Sequence, residues 1–173
     1  QYLRNFCFDA ELGGLVTGAP ASPDLFNIYC EVLVDRSMRM LCQRYELTYS
    51  RYLDDLTFSS TIPIGAKKRR AIRRVVEQAG FTVSDKKAKI FDLRKGPAVV
   101  NGVGIQLYGK IFLPRRTLTH LRGLLHIALT QGSIDPASIH GKMGLLRSVT
   151  CRNMANKTEH KVFDMYAAFR RLP

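Results

Sequence analysis

A chain of 173 residues, 46% of them hydrophobic, can bury one sizeable core, or one core and a small appended domain. It has no Trp, no apolar run of about 18 residues and no stretch that reads as a secretory leader, so a membrane span and export are not expected and a cytoplasmic location is. Its 27 Lys and Arg against 14 Asp and Glu leave a formal net charge of +13, beyond what solubility requires, and point to a polyanion partner. The most basic helix carries only small aliphatics on its apolar face, which favours nucleic acid over a membrane surface. Cys7, Cys30, Cys42 and Cys151 lack metal-binding spacing and read as reduced structural thiols.

Residues Gln1 to Val16 show mixed polarity without a clear period, and begin without an initiator Met, as expected of the interior of a longer protein or of one part of a split one. In Thr17-Gly18-Ala19-Pro20-Ala21-Ser22-Pro23-Asp24, small residues and two prolines cannot continue a strand. Ser22 as N-cap and Pro23 at the first helical position predict a helix start. Leu25, Phe26, Tyr29, Cys30, Leu33, Val34, Met38 and Leu41 then repeat at helical spacing, predicting a long helix buried along one side. Such an entry is common in helical proteins; it also suits close approach of a nucleotide or template strand to exposed backbone at a positive helix end.

Tyr49 to Ser59 reads as two β-runs flanking adjacent carboxylates, a hairpin with Asp54 and Asp55 at its turn. A bare Asp-Asp pair is most often a solvated turn. The alternative is a divalent cation, because carboxylate oxygens are the ligands Mg²⁺ prefers. Ala66 to Ala79 predicts an amphipathic helix with Ala71, Ile72, Val75, Val76 and Ala79 in one stripe, six Lys and Arg opposite, and Gly80 as C-cap. Val99 to Ile105 and Lys110 to Pro114 read as two short strands joined by a turn around Tyr108-Gly109. Three helices follow. One opens at Pro114-Arg115-Arg116 with Leu118, Leu121, Leu124, Leu125 and Ala128 on one side. After a break at Gly132 to Pro136, a second runs through Ile139 to Ser148. The third, about Thr158 to Arg171, aligns Val162, Phe163, Tyr166 and Phe169.

Gly18-Ala19-Pro20-Ala21-Ser22-Pro23 opening a helix, followed by Tyr52-Leu53-Asp54-Asp55 between β-runs, resembles motifs B and C of bacterial reverse transcriptases of the retron and group II intron type. Gly80 to Lys87 resembles motif D, the strand pair at 99–114 sits where that family has motif E, and the final helices resemble its thumb. Departures from the family pattern are Val16 and Thr17 in place of Pro-Gln, Ala21 for Thr, Leu53 for Ala and Ser84 for Asn.

The resemblance implies an α+β fold: a partial polymerase palm over residues 1–114, with an antiparallel sheet packed on helices, then an all-α three-helix thumb over 115–173. It implies catalytic roles for Asp54, Asp55 and a motif D lysine, Lys87 by spacing from Gly80-Phe81 with Lys86 and Lys89 as alternatives, with Asp54 and Asp55 as ligands of two Mg²⁺ ions (Mn²⁺ being an alternative) and a dNTP as substrate. Thr17, Gly18, Ala19, Pro20, Ser22 and Tyr52 would contact nucleotide or template. Gly102, Gly104, Arg115, Arg116, Arg122, Lys142 and Arg147 would hold the primer duplex. RNA template, RNA–DNA hybrid and a structured non-coding RNA are the implied partners, and retron function, intron mobility and antiviral defence the implied settings.

The family takes another essential Asp from motif A, well upstream of motif B. Asp9 is too close to Gly18 to match it. The expectation is therefore a carboxy-terminal part of an RNA-directed DNA polymerase that needs a fingers and motif A polypeptide, its palm sheet presenting an unpaired edge. The competing expectation is a non-catalytic scaffold gripping RNA or RNA–DNA hybrid.

Overall fold

The computed structural model describes residues 7–9, 11, 13–132, 135–150 and 155–172. Cys151, Arg152 and residues 133–134 of the expected helix break lie outside the described residues. The fold is mixed, with antiparallel strands and helices, and divides into two compact units, Gln1–Lys89 and Ile90–Pro173. The division falls 25 residues before the position 114 read from the sequence. Leu113 is the reason: it is only 2% exposed and sits in the core of the helices that follow, so the short strands leading to it belong with those helices.

The first unit begins with β1 (Phe8–Asp9) and β2 (Gly14–Leu15), a minimal antiparallel pair in a stretch where the sequence shows no period. Next comes one continuous helical run: α1 (Ser22–Cys30), a π-helical turn (Glu31–Asp35) and α2 (Arg36–Tyr45). The buried line along it is Cys30, Val34, Met38 and Cys42, every fourth residue. At 3.6 residues per turn, each four-residue step drifts by about 40°, so plain α-helix would carry the line roughly 120° off its neighbours after three steps. The π-turn, closed by the Arg36 amide donating to the Glu31 carbonyl, takes up one extra residue and removes most of that drift. It also brings Asp35 to the buried side and leaves Leu33, expected inside, substantially exposed; Tyr29, on the helix before it and also expected inside, is exposed as well.

α2 ends at Glu46, whose positive φ of 55° reverses the chain into β3 (Thr48–Tyr52). β3 pairs with β4 (Asp55–Ser59) in a two-stranded antiparallel sheet, from Thr48 opposite Ser59 to Tyr52 opposite Asp55. α3 (Ala66–Gln78) packs its Ile72, Val75 and Val76 side against the same core, and Gly80, at φ 86°, closes it as the sequence predicts.

In the second unit, β5 (Ala98–Val100), β6 (Val103–Ile105) and β7 (Ile111–Phe112) form a three-stranded antiparallel sheet. Two strands were expected here. The run from Val99 to Ile105 is itself a hairpin, turning through Asn101 and Gly102, both at positive φ (47° and 81°). Asn-Gly is the strongest short-range hairpin signal, because both positions of the preferred tight turn need positive φ. α4 (Arg115–Gln131), α5 (Pro136–Val149) and α6 (Lys157–Phe169) follow close to their expected places. Leu118, Leu121, Leu125, Ile139, Met143, Leu146 and Val162 form their core, all buried. Caps define the last two helices. The Asp135 carboxylate accepts from the Ala137 amide, and Asn156 and Glu159 make a reciprocal capping box.

Candidate active site

The Asp-Asp turn is built from β3 outward. Side chains alternate along the strand, so Tyr49 and Arg51 face the helices while Ser50 and Tyr52 face out. Tyr49 stacks on Phe58 of β4, with ring centroids 5.2 Å apart, and fixes the register. The loop then holds just two residues, Leu53 and Asp54, and Asp55 is the first residue of β4. Both carboxylates are exposed at the hairpin tip, and Tyr52, 66% exposed, stands directly across from Asp55.

Leu53 has φ 52°, a conformation that costs a non-glycine residue about 1–2 kcal/mol. What opposes that cost lies underneath. The Arg51 guanidinium donates Nε and Nη2 to the Asp35 carboxylate, at 3.0 and 2.7 Å, and Nη1 to Asn27 Oδ1 at 2.8 Å and to the Leu53 carbonyl at 3.1 Å. The Tyr49 hydroxyl donates to Asp35 Oδ1 at 2.6 Å. Arg51 and Asp35 side chains are about nine-tenths buried. Burial by itself would push the Asp35 carboxyl up. The hydrogen bonds from Arg51 and Tyr49, and the charge of Arg51, outweigh it and hold the group below the usual carboxylate range. Burial, then the bond to Asp35, pushes the Tyr49 phenol up. The bond to Asp35, stronger than the opposing effect of burial, pushes Arg51 up, so the pair stays charged.

Neither Asp35 nor Arg51 stands out in a motif reading, yet both carry a signal. Arg51 occupies an inward position of a half-buried strand, and Asp35 lies on a helix three residues before buried Met38. A charge on each of two buried faces calls for a partner.

The Thr17–Ala21 loop is a tight turn. The Ser22 amide donates to the Ala19 carbonyl at 3.0 Å, and Gly18 sits at φ 87°. Ser22 is not the N-cap expected from the sequence. Ala21 takes that position, and Ser22 is the first helical residue, its buried hydroxyl donating to the Val16 carbonyl at 2.7 Å across the base of the loop. Thr17, Gly18 and Pro20 are exposed, and Ala19 is half-buried. Lys87 is exposed too, in a turn whose amides at Lys87 and Ala88 donate to the Ser84 carbonyl. That segment is tied down by an Asp85–Arg73 ion pair and by Phe81, packed edge-on against Phe26 and Tyr29. Of the six cations on α3, Lys68, Arg69 and Arg73 have partners within the unit; Lys67, Arg70 and Arg74 project into solvent.

The second unit holds the remaining residues expected to bind nucleic acid. Gly102 is a turn residue with open space where a side chain would project. Gly104 has an internal reason: a Cβ there would meet the Phe112 ring at 2.3 Å, so the glycine seats the cross-strand aromatic. Arg115 and Arg116 are exposed at the start of α4, with half-buried Arg122 two turns on, and none of the three has an ion-pair partner among the described residues. Lys142 is half-buried, its Nζ 3.4 Å from Ser138 Oγ. The Arg147 guanidinium lies over the Tyr166 ring, 5.1 Å from its centroid. At the tip between β6 and β7, Tyr108 is 97% exposed with φ 66°.

Among the described residues no group of three or more His, Cys, Asp or Glu could hold a metal ion. Asp54 and Asp55 supply two carboxylates, the number Mg²⁺ takes when waters and substrate phosphates complete its shell. The donor set therefore fits a magnesium ion shared with substrate better than a closed protein cage.

No protein-family profile matches the chain. Among curated proteins, it is 38% identical over 126 residues to the retron Mx65 reverse transcriptase of Myxococcus xanthus, covering 72% of this chain and 29% of that protein. It is 34% identical over 128 residues to the retron Mx162 reverse transcriptase of the same organism, covering 65% and 26%. The retron Ec83 reverse transcriptase of Escherichia coli is 27% identical over 153 residues, covering 83% and 48%. The chain thus spans between a quarter and a half of the length of these relatives. Over most of its own length it is homologous to the retron reverse transcriptases.

Proposed function

We propose that this chain forms the later palm and the thumb of an RNA-directed DNA polymerase that extends a primer on an RNA template by two-metal nucleotidyl transfer. Fingers and a motif A carboxylate come from sequence beyond it. The observation that carries this reading is the Asp54–Asp55 turn: adjacent, exposed carboxylates at the end of a two-residue loop whose Leu53 carbonyl is held by the buried Arg51, in a chain homologous to reverse transcriptases. Two like charges at a hairpin tip repel and add nothing to the fold by themselves.

In this reading Asp54 and Asp55 hold Mg²⁺ together with the motif A carboxylate. When bound, the metal neutralises charge on the attacking primer oxygen and the leaving pyrophosphate. The exposed Thr17–Pro20 loop and Tyr52 contact template or incoming dNTP, with Ser22 holding that loop closed from beneath. Lys87 offers its charge to the nucleotide phosphates. Arg115, Arg116, Arg122, Lys142 and Arg147 contact the duplex backbone, Gly102 and Gly104 belong to the hairpin at the primer end, and a structured RNA is a further partner. The excess of cations over acids in the chain supports a polyanion partner. No described helix is long and apolar enough to cross a membrane.

The test is Mg²⁺-dependent dNTP incorporation by the complete polymerase. Asp54→Asn should abolish it while leaving folding unchanged or slightly improved, since one of two repelling charges is removed. Full activity in that variant would remove the metal-ligand assignment. Retained binding of RNA–DNA hybrid by a wild-type complex without incorporation would favour the scaffold reading instead.

A further inference from the structure

We propose that Arg51 is a positioning residue: it holds the Leu53–Asp54 peptide in place and so sets the direction of the Asp54 carboxylate. The proposal rests on reading that turn as a metal-binding site. Two-residue hairpin loops form readily when Gly, Asn or Asp supplies the positive φ; Leu does not. Here Leu53 carries the positive φ, and its carbonyl is fixed by Arg51 Nη1 at 3.1 Å. Because a peptide unit is planar, fixing the Leu53 carbonyl also fixes the Asp54 amide, from which the Asp54 side chain departs.

Arg51 can do this because it is itself immobile. Asp35 grips its Nε and Nη2, Asn27 shares its Nη1, and Asp35 is in turn held by the Tyr49 hydroxyl. The anchor reaches from the π-turn of the long helix, through one guanidinium, to the backbone of the loop. Lysine could not replace it, since a single ammonium cannot grip a carboxylate with two donors and reach the Leu53 carbonyl with a third. A purely structural ion pair would have no need of that last bond.

Terbium(III) can probe the turn in the full chain, because exposed Tyr52 lies opposite Asp55 and the chain has no Trp to compete as sensitiser. Affinity is read from Tyr-sensitised luminescence, with unfolding midpoints measured alongside. Asp35→Leu combined with Arg51→Met removes both buried charges and should keep the fold, since replacing a buried ion pair by apolar residues of similar volume is often neutral for stability. It should weaken terbium binding about tenfold to a hundredfold, the effect typical of losing a group that orients a metal ligand. Arg51→Lys should show a similar loss. Adding Leu53→Gly to the double variant should return most of the affinity, since glycine adopts the positive φ without an anchor. Unchanged affinity in the folded double variant, or no recovery with Leu53→Gly, overturns the positioning role. If Asp54→Asn leaves terbium binding intact, the metal reading itself fails, and the positioning role with it.

Discussion

The two units solve the problem of burying a core in different ways. In residues 90–173 three helices pack aliphatic side chains against one another, and Asp135 and Asn156 cap two of them. In residues 1–89 the core runs through Cys30, Val34, Met38, Cys42, Leu47 and Val76, with a buried Asp35–Arg51 pair beside it and a π-turn in its main helix. The same unit leaves Ile28 and Val32, one turn apart, 65% and 60% exposed. The contrast teaches that the second unit is organised mainly by apolar packing, its one buried charge among the described residues, Glu159, serving a helix cap. The first interrupts its main helix with a π-turn that brings Asp35 inward, and Asp35 holds the arginine that binds the Leu53 carbonyl. The buried ion pair and the π-turn thus both lie in the unit that carries the Asp54–Asp55 turn.

Breaking the ion pair should cause the largest stability loss. Asp35→Ala leaves the Arg51 guanidinium buried without its carboxylate, at a cost of about 3–5 kcal/mol, whereas Asp35→Leu with Arg51→Met should recover most of it. Denaturant unfolding of the three chains measures both. The pH dependence sharpens the point. Asp35 is held below its ordinary value in the folded state, so the pair's contribution is full above about pH 3.9, the unperturbed Asp value, and is lost as pH falls through the lower folded value. The double variant should show less acid sensitivity than wild type in that window.

A change in the aliphatic core of the second unit should come close behind. Leu125→Ala empties a fully buried position and should cost about 2–5 kcal/mol. Cys42→Ala in the first unit removes a single sulfur and should cost clearly less. Unfolding curves that ranked them the other way would contradict the view that the second unit depends more heavily on packing.

The smallest effects should come from the cations of α4 and α5. Arg115→Ala and Arg122→Ala should each lower the log–log salt slope of binding to an RNA–DNA hybrid by roughly 0.7–0.9, without changing sequence preference. Arg147→Ala should lower it less, because that guanidinium already lies over Tyr166. Titrations at several salt concentrations against RNA–DNA hybrid, duplex RNA and B-form DNA read out both slope and shape preference. A flat salt response would remove the duplex-binding role of this face.

Much of this was legible without coordinates because it is local. Apolar spacing in Leu118, Leu121, Leu125 and Ala128 is enough to place α4, since a 3.6-residue period needs no knowledge of what packs on it. The Asp54–Asp55 turn is visible for the same reason: β-runs and turn residues declare a hairpin within eleven positions. The extra strand in the sheet of the second unit is local too, since the Asn101-Gly102 turn that creates it is a hairpin signal in the sequence.

Other features could come only from the tertiary structure. Whether Leu33 or Asp35 turns inward depends on one π-turn, which shifts helical phase by one residue and has no signature in periodicity. That Ser22 closes a loop instead of capping a helix depends on where the Val16 carbonyl lies. That Gly104 serves Phe112 depends on strand register. The Asp35–Arg51 link joins residues sixteen positions apart on different elements, and only the packing of strand on helix brings them to 2.7 Å. Sequence by itself determined the main helices and the hairpin that carries Asp54 and Asp55, because those depend on neighbours along the chain. The tertiary structure decided what holds the carboxylates in place, because that support comes from charges that meet only once the chain has folded.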